Sequence, residues 1–278
     1  MTLICVHLHL SAILFLLTAA LHAQTFIQMS DPQFGMYTKD AGFAHETTNF
    51  EFAIATVNRL KPAFVVITGD LTNKSGDPTQ IAEFKRIAAK LDPSIKLFLA
   101  PGNHDTGNEA TPQSLVRYRE AYGPDYYTFR IGDIAGFVLN SNLEKSTAKV
   151  PGEAAKMESW FRAELGKAKQ SGAKQLIVFQ HIPFFMKTPD EAEVYDNVTP
   201  DARARYLKLL HDYGVQHVFT GHYHHEAEAS DGAVEIHITG PVGMPLKQGK
   251  SGMRIGKVAD GKVTHKYYDF GDIPETIQ

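Results

Sequence analysis

Asp31, Asp70, Asn103, His181, His222 and His224 are oxygen and nitrogen donors of metal-ligand type, and each stands at or just beyond the end of a short apolar run. The repetition points to a hydrolase that works with two metal ions. Such an enzyme needs one carboxylate to bridge the ions, several further ligands to hold each one, and coordination left open for a hydroxide and a phosphate. Asp70 can bridge, Asp31 and His224 can serve one ion, and Asn103, His181 and His222 can serve the other. Two ions about 3.5 to 4 Å apart would acidify a bridging water and clamp two phosphate oxygens, so that hydroxide attacks phosphorus in line. In the peptide Gly102-Asn103-His104-Asp105, His104 can reach the leaving oxygen as a general acid. Asp105 is expected to favour its imidazolium and to fix its orientation.

These residues can meet only if the chain carries them to one place. The runs that precede them, 26–29, 64–67, 97–99, 176–179 and 217–219, are rich in Val, Ile, Leu and Phe and have the length of buried strands. Strands that share a sheet and are covered on both faces present their C-terminal ends along one edge, where residues distant in sequence converge. Between the runs lie helical patterns: 50–60 ending before Lys61-Pro62, 79–91, 111–122 stopping at Gly123-Pro124, a stretch from Pro151 to Ser171-Gly172, and 200–213. Segments 126–131 and 134–140 flank a Gly132-Asp133 turn and predict a hairpin. From Ala233 onward the alternation predicts antiparallel strands that complete the sheet system.

The chain has 278 residues, is 43% apolar and carries a formal net charge of -3, which suits one large α/β domain and gives no basic excess for a polyanionic partner. Residues 1–23 contain no Asp, Glu, Lys or Arg, and 8–21 is nearly all apolar. This reads as a secretory leader, with export to the periplasm or medium as the expectation and 24–278 as the remaining domain. An uncleaved anchor is the rival, although the run is short of the roughly 20 residues that span a bilayer. Cleavage would leave no stable membrane insertion. The single cysteine, Cys5, lies in that leader, so disulfides, thiolate catalysis and cysteine ligation are excluded from the remainder.

The set Asp31-Pro-Gln33, Gly69-Asp70, Gly102-Asn-His-Asp105, Gln180-His181 and Gly221-His-Tyr-His224 resembles the calcineurin-like metallophosphoesterase superfamily. The Asp-Pro-Gln, Gln-His-Ile-Pro and Gly-His-Tyr-His segments resemble its calcineurin-like phosphoesterase-domain-containing serine/threonine phosphatase subgroup, over about residues 26 to 270. The resemblance implies a four-layer αββα sandwich with mixed β-sheets, a dinuclear centre of divalent or Fe/Mn/Zn-type ions, and hydrolysis of phosphoester bonds. Where many members carry Asp-x-His, this chain has Gln33, a neutral and weaker ligand. That substitution predicts a looser first site or a preference for harder ions such as Mn, unless Gln33 binds phosphate or a metal-bound water instead.

Singly, Asp31 or Asp70 could be a turn or capping residue and His181 a hydrogen-bonded histidine; it is the combination that is specific. His217 reads as a structural histidine, and His45, His211, His237 and His265 have no ligand spacing. The segment after His181 carries Asp190, Glu191, Glu193 and Asp196, which would repel an extended polyanion if it borders the pocket. Phe184, Phe185 and Tyr195 could form a lip there, or pack within the loop. The expected substrate is a small phosphomonoester, an exported ester or a phosphoserine or phosphothreonine side chain, with no nucleic-acid partner. A phosphodiesterase or nucleotide pyrophosphatase, and a non-catalytic binding domain, remain as alternatives. The oligomeric state is open.

Overall fold

The computed structural model describes residues 23–246 and 248–277. The expected leader, apart from Ala23, lies outside the described residues, as does Cys5.

In chain order the elements are β1 (Gln24–Met29), α1 (Ala44–Leu60), β2 (Phe64–Thr68), α2 (Pro78–Ala88), β3 (Lys96–Ala100), α3 (Asn103–Thr106), α4 (Pro112–Tyr122), β4 (Tyr127–Ile131) and β5 (Ile134–Val138). They continue with α5 (Asn142–Lys145), α6 (Pro151–Gln170), β6 (Gln175–Phe179), α7 (Pro200–Tyr213), β7 (His217–Thr220), β8 (Ala227–Asp231), β9 (Val234–Ile238), β10 (Gly252–Ala259) and β11 (Lys262–Asp269). Local chemistry sets several boundaries. Asp77 caps α2 by accepting from the N–H groups of Thr79 and Gln80 at 3.0 and 3.2 Å, with Pro78 in the first turn. Lys61 ends α1 in the left-handed region at φ 49°, and Pro62 forbids continuation. Gly214 closes α7 in the same region while Val215 N–H reaches back to the Leu210 carbonyl at 2.9 Å.

Two mixed sheets face each other. One has the order β11-β10-β1-β2-β3 and the other β4-β5-β6-β7-β9-β8. Strands β1, β2 and β3 are parallel, as are β5, β6, β7 and β9. The sequence expectation of antiparallel strands after Ala233 is met by β10 and β11 but not by β9, which pairs parallel to β7 and antiparallel to β8. Its pattern does not encode direction; the crossover from β7 through β8 does.

Alternating side chains divide the core into three layers. Ile27, Val65 and Ile67 face Phe50, Ile54, Val57, Phe84 and Ile87 of α1 and α2. Val178, Val218 and Ile236 face Met157, Phe161, Leu165, Leu207 and Leu210 of α6 and α7. Between the sheets, Phe26, Phe64, Phe179 and Phe219 pack with centroid separations of 5.3 to 6.4 Å. Each buried ring contributes roughly 1.5–3 kcal/mol by burial alone. This rigid stack holds the parallel strand ends in place. Among the described residues no helix is long and apolar enough to cross a membrane.

Candidate metal centre

The chain segments that follow β1, β2, β6 and β7 meet at one edge of the sandwich. Asp31, Asp70, His222 and His224 all have positive φ, 50°, 49°, 71° and 52°, so the backbone turns sharply as soon as each strand ends. Asp31 N–H donates to the Gly69 carbonyl at 3.1 Å, and Gln33 N–H donates to the Asp70 carbonyl at 2.8 Å. Two glycines permit the approach. A Cβ on Gly102 would lie 2.0 Å from Asp70 Oδ1, and one on Gly221 would lie 2.6 Å from Asp31 Oδ2.

Asp70 belongs to two ligand-type groups at once, one with His181 and His222 and one with Asp31 and His224, each with donor atoms within 4.8 Å of one another. His181 Nε2 lies 3.2 Å from Asp70 Oδ2, 3.0 Å from Asn103 Oδ1, 3.2 Å from His222 Nδ1 and 3.9 Å from Asp31 Oδ1. His224 Nε2 lies 3.3 Å from Asp31 Oδ1. Backbone carbonyls hold the opposite ring nitrogens: Thr68 takes His181 Nδ1 at 2.7 Å, Met244 takes His224 Nδ1 at 2.6 Å, and Tyr195 takes His222 Nε2 at 3.2 Å. A ring tied in this way presents its other nitrogen inward in a fixed tautomer, as metal-ligating histidines do.

Electrostatics point the same way. Burial opposes charge on Asp31 and Asp70, but His224 and His181 hold Asp31 below the usual carboxylate range, and His181 does the same for Asp70. Burial would lower His181, yet Asp70 and Asp31 outweigh it and hold the imidazole up at about 9. His222 is pushed down to about 4 by burial and by His181. The buried carboxylates therefore draw positive charge to their centre, and a cation satisfies that demand better than a proton on one ring. Asp31 Oδ1 and Gln33 Oε1 are buried without a hydrogen-bond partner, the condition of oxygens set for an ion. Gln33 donates from Nε2 to Asn73 Oδ1 at 3.2 Å, so its amide oxygen is the free end. The donor set fits a dinuclear centre.

His104 stands beside this set. Its backbone N–H donates to Asp70 Oδ1 at 2.8 Å, and its Nδ1 lies 2.7 Å from the Asn73 carbonyl. Asp105 is not the residue that orients it. The Asp105 carboxylate instead accepts from the backbone N–H groups of Leu71, Thr72 and Gly102 at 3.2, 3.1 and 2.8 Å, fastening the loop after β2 to the loop after β3. Burial and the neighbouring Asp70 push this carboxyl up to about 7 against the pull of those donors.

Of the two readings of the aromatic residues, packing holds for two and a lip for the third. Phe184 and Phe185 are wholly buried in the outer core, whereas Tyr195 is exposed and reaches the centre. Its hydroxyl accepts from Asn103 Nδ2 at 2.9 Å, and its ring lies 4.8 Å from that of His222. Within the acidic run, Glu191 accepts from Met186, Lys187 and Thr188 N–H groups and braces the loop, while Asp196 Oδ1 comes to 4.0 Å from His222 Nε2. Sequence reading missed Asn73 and Met244, whose backbone carbonyls no residue type signals; Asn73 also holds Gln33 through its side chain.

Residues 24–226 match the family model for the calcineurin-like phosphoesterases. The serine/threonine-protein phosphatase CPPED1 of Bos taurus is 32% identical over 265 residues, covering 90% of this chain and 85% of that protein. The Danio rerio protein of the same name is also 32% identical, over 90% and 86%. In three dimensions the chain resembles a dimetal phosphatase from Danio rerio with TM-score 0.66 and 14% identity, covering 88% of this chain and 95% of that one.

Proposed function

The chain belongs to the calcineurin-like phosphoesterase family and is a phosphoester hydrolase, and from that premise we propose that it acts on phosphomonoesters through a dinuclear centre bridged by Asp70. The observation that carries the proposal is the membership of Asp70 in both ligand groups. Asp31, Gln33, Asp70 and His224 would hold one ion, and Asp70, Asn103, His181 and His222 the other. Bound ions supply Lewis acidity toward phosphate oxygens and a more acidic attacking water. Gln33, an amide oxygen where an imidazole is commoner, favours Mn or another hard ion at the first position.

The chain's own groups position and protonate. Thr68, Met244 and Tyr195 carbonyls hold the three imidazoles in the tautomers required. The Asn73 carbonyl accepts from His104 Nδ1–H and fixes the ring, leaving Nε2 as the nitrogen that would carry a proton to the leaving oxygen. Asn103, held by Tyr195 and by Asn108 Oδ1 at 2.7 Å, is fixed with its carbonyl oxygen toward His181. Asp196 and the Tyr195 ring border the centre, and this acidic, aromatic rim suits a small ester or a phosphorylated side chain better than a nucleic acid. The charge-free stretch 1–23 supports export, and small exported esters are then the natural substrates.

The test is phosphate release by metal-stripped protein reloaded with Mn, Fe, Zn or Mg, with p-nitrophenyl phosphate and bis-p-nitrophenyl phosphate in parallel. Metal-dependent turnover favouring the monoester is expected. Preference for the diester would overturn the monoesterase reading in favour of a phosphodiesterase.

A further inference from the structure

At the opposite end of β7 from His222, a second group of ligand-type side chains closes the gap between the sheets. His217 opens β7, Glu235 and His237 lie across from it on β9, and His265 comes from β11 of the other sheet. Their donor atoms all lie within 4.8 Å of one another. His217 is five residues before His222, so the group lies roughly 15 Å from the centre described above at about 3.3 Å per strand residue.

We propose that His217, His237 and Glu235 form a separate zinc-type site, with His265 as its wall and solvent as the fourth ligand. The spacing carries the argument. His217 Nδ1 and His237 Nε2 are 3.1 Å apart, and Glu235 Oε2 lies 3.3 Å from the first and 3.6 Å from the second. Tetrahedral zinc with bonds of 2.0–2.1 Å separates its ligand atoms by roughly 3.3 to 3.4 Å. The three separations, 3.1, 3.3 and 3.6 Å, bracket that spacing.

The surroundings are those of a held ligand. His237 Nδ1 is hydrogen bonded to the Glu228 carboxylate, which fixes the ring so that Nε2 faces His217 and Glu235. This carboxylate–histidine arrangement is the support that metal-bound imidazoles carry. Arg254 Nη1 lies 3.0 Å from Glu228 Oε1 and donates to His265 Nδ1 at 2.9 Å, so His265 is engaged and flanks the site instead of completing it. Glu228 is paired with Arg254, whereas Glu235 lies against the two imidazoles, where a divalent ion would offset its negative charge. Glu235 is half-exposed, which gives solvent and metal a route in.

The same group is tied to the strands that carry the catalytic centre. Arg254 Nε donates to Thr239 Oγ1 at 2.9 Å, Thr239 Oγ1 is hydrogen bonded to Gln28 Oε1, and Gln28 Nε2 donates to Thr68 Oγ1 at 2.7 Å. Thr68 is the residue whose carbonyl holds His181. A zinc ion at His237 would therefore stiffen the polar layer beneath the catalytic strands without touching them.

The experiment is zinc loading of the full chain, read by metal content and by anomalous scattering at the zinc edge in crystals. Three equivalents are expected where a dinuclear enzyme alone would take two, with one anomalous peak between His217, His237 and Glu235. His217→Asn and Glu235→Gln, both conservative, should each lose that one equivalent and its peak while phosphate release is retained. Asp70→Asn should do the reverse, keeping this ion as the dinuclear pair is lost. Absence of a peak at His237 in crystals whose catalytic centre is filled overturns the proposal, as does a third equivalent that persists in both His217→Asn and Glu235→Gln.

Discussion

The backbone N–H of His104 donates to Asp70 Oδ1 at 2.8 Å, so the carboxylate proposed to bridge two ions also positions the imidazole proposed to protonate the leaving group. On that proposal, metal binding and proton delivery would be joined through one side chain. Oδ2 of the same carboxylate faces His181 Nε2 at 3.2 Å.

Asp70→Asn should lose the dinuclear centre, since an amide cannot supply the bridging charge, and turnover should fall with it by about 1,000-fold or more, on the scale of removing several kcal/mol of transition-state stabilisation. Metal content and phosphate release on the same preparation check this. Two catalytic ions retained in the variant would refute the bridging role.

His104→Ala should slow turnover by about 100-fold for esters with poor leaving groups and far less for p-nitrophenyl phosphate, whose leaving oxygen needs no proton. Alkyl and aryl monoesters compared on one preparation separate the cases. Equal losses for both would remove His104 from the role of acid.

Gly102→Ala tests the close approach. The added methyl would meet Asp70 Oδ1 at 2.0 Å and Asp70 N at 2.2 Å, so the carboxylate must move. A displacement of this order costs about 100-fold in rate. Gly166→Ala in α6, where the nearest atom is 3.8 Å away, serves as control and should raise stability by about 0.5–1 kcal/mol with activity unchanged. Similar activity in the two variants would contradict the steric argument.

Glu144 gives a pH prediction. It is buried beside Gln180, which donates to Oε2 at 3.3 Å, while Oε1 has no partner, and burial holds its carboxyl well above the usual range. A raised carboxyl contributes stability that is fully present below its unfolded pKa, near 4.5, and is lost as pH rises toward the folded value. Glu144→Gln does not titrate. Its unfolding free energy relative to the parent should therefore climb with pH above 4.5, with a limiting slope of about 1.4 kcal/mol per pH unit, read from denaturant titrations at several pH values. A difference independent of pH would show that Glu144 is not held neutral.

Much of the candidate centre is legible in the sequence. Buried parallel strands leave continuous apolar runs, and β1, β2, β6 and β7 each end at a ligand-type residue, so Asp31, Asp70, His181 and His222 announce a common edge. Glycine beside Asp70, Asn103 and His222 is legible for the same reason, because a sharp turn and a close approach select it locally. Period-two alternation likewise shows which residues of a strand share a face.

What faces a residue from another layer is a different kind of information, and only the tertiary structure decided it. Asp105 was expected to brace His104 and instead fastens Leu71, Thr72 and Gly102; Phe184 and Phe185 turned into the core while Tyr195 turned to the metal centre. The direction of β9 and the meeting of His217 and His237 with His265 depend on how one sheet is set over the other. Sequence patterns record local periodicity and strand ends. Contacts across layers depend on strand order, register and sheet twist, which are settled by the packing of the whole chain and by no single segment of it.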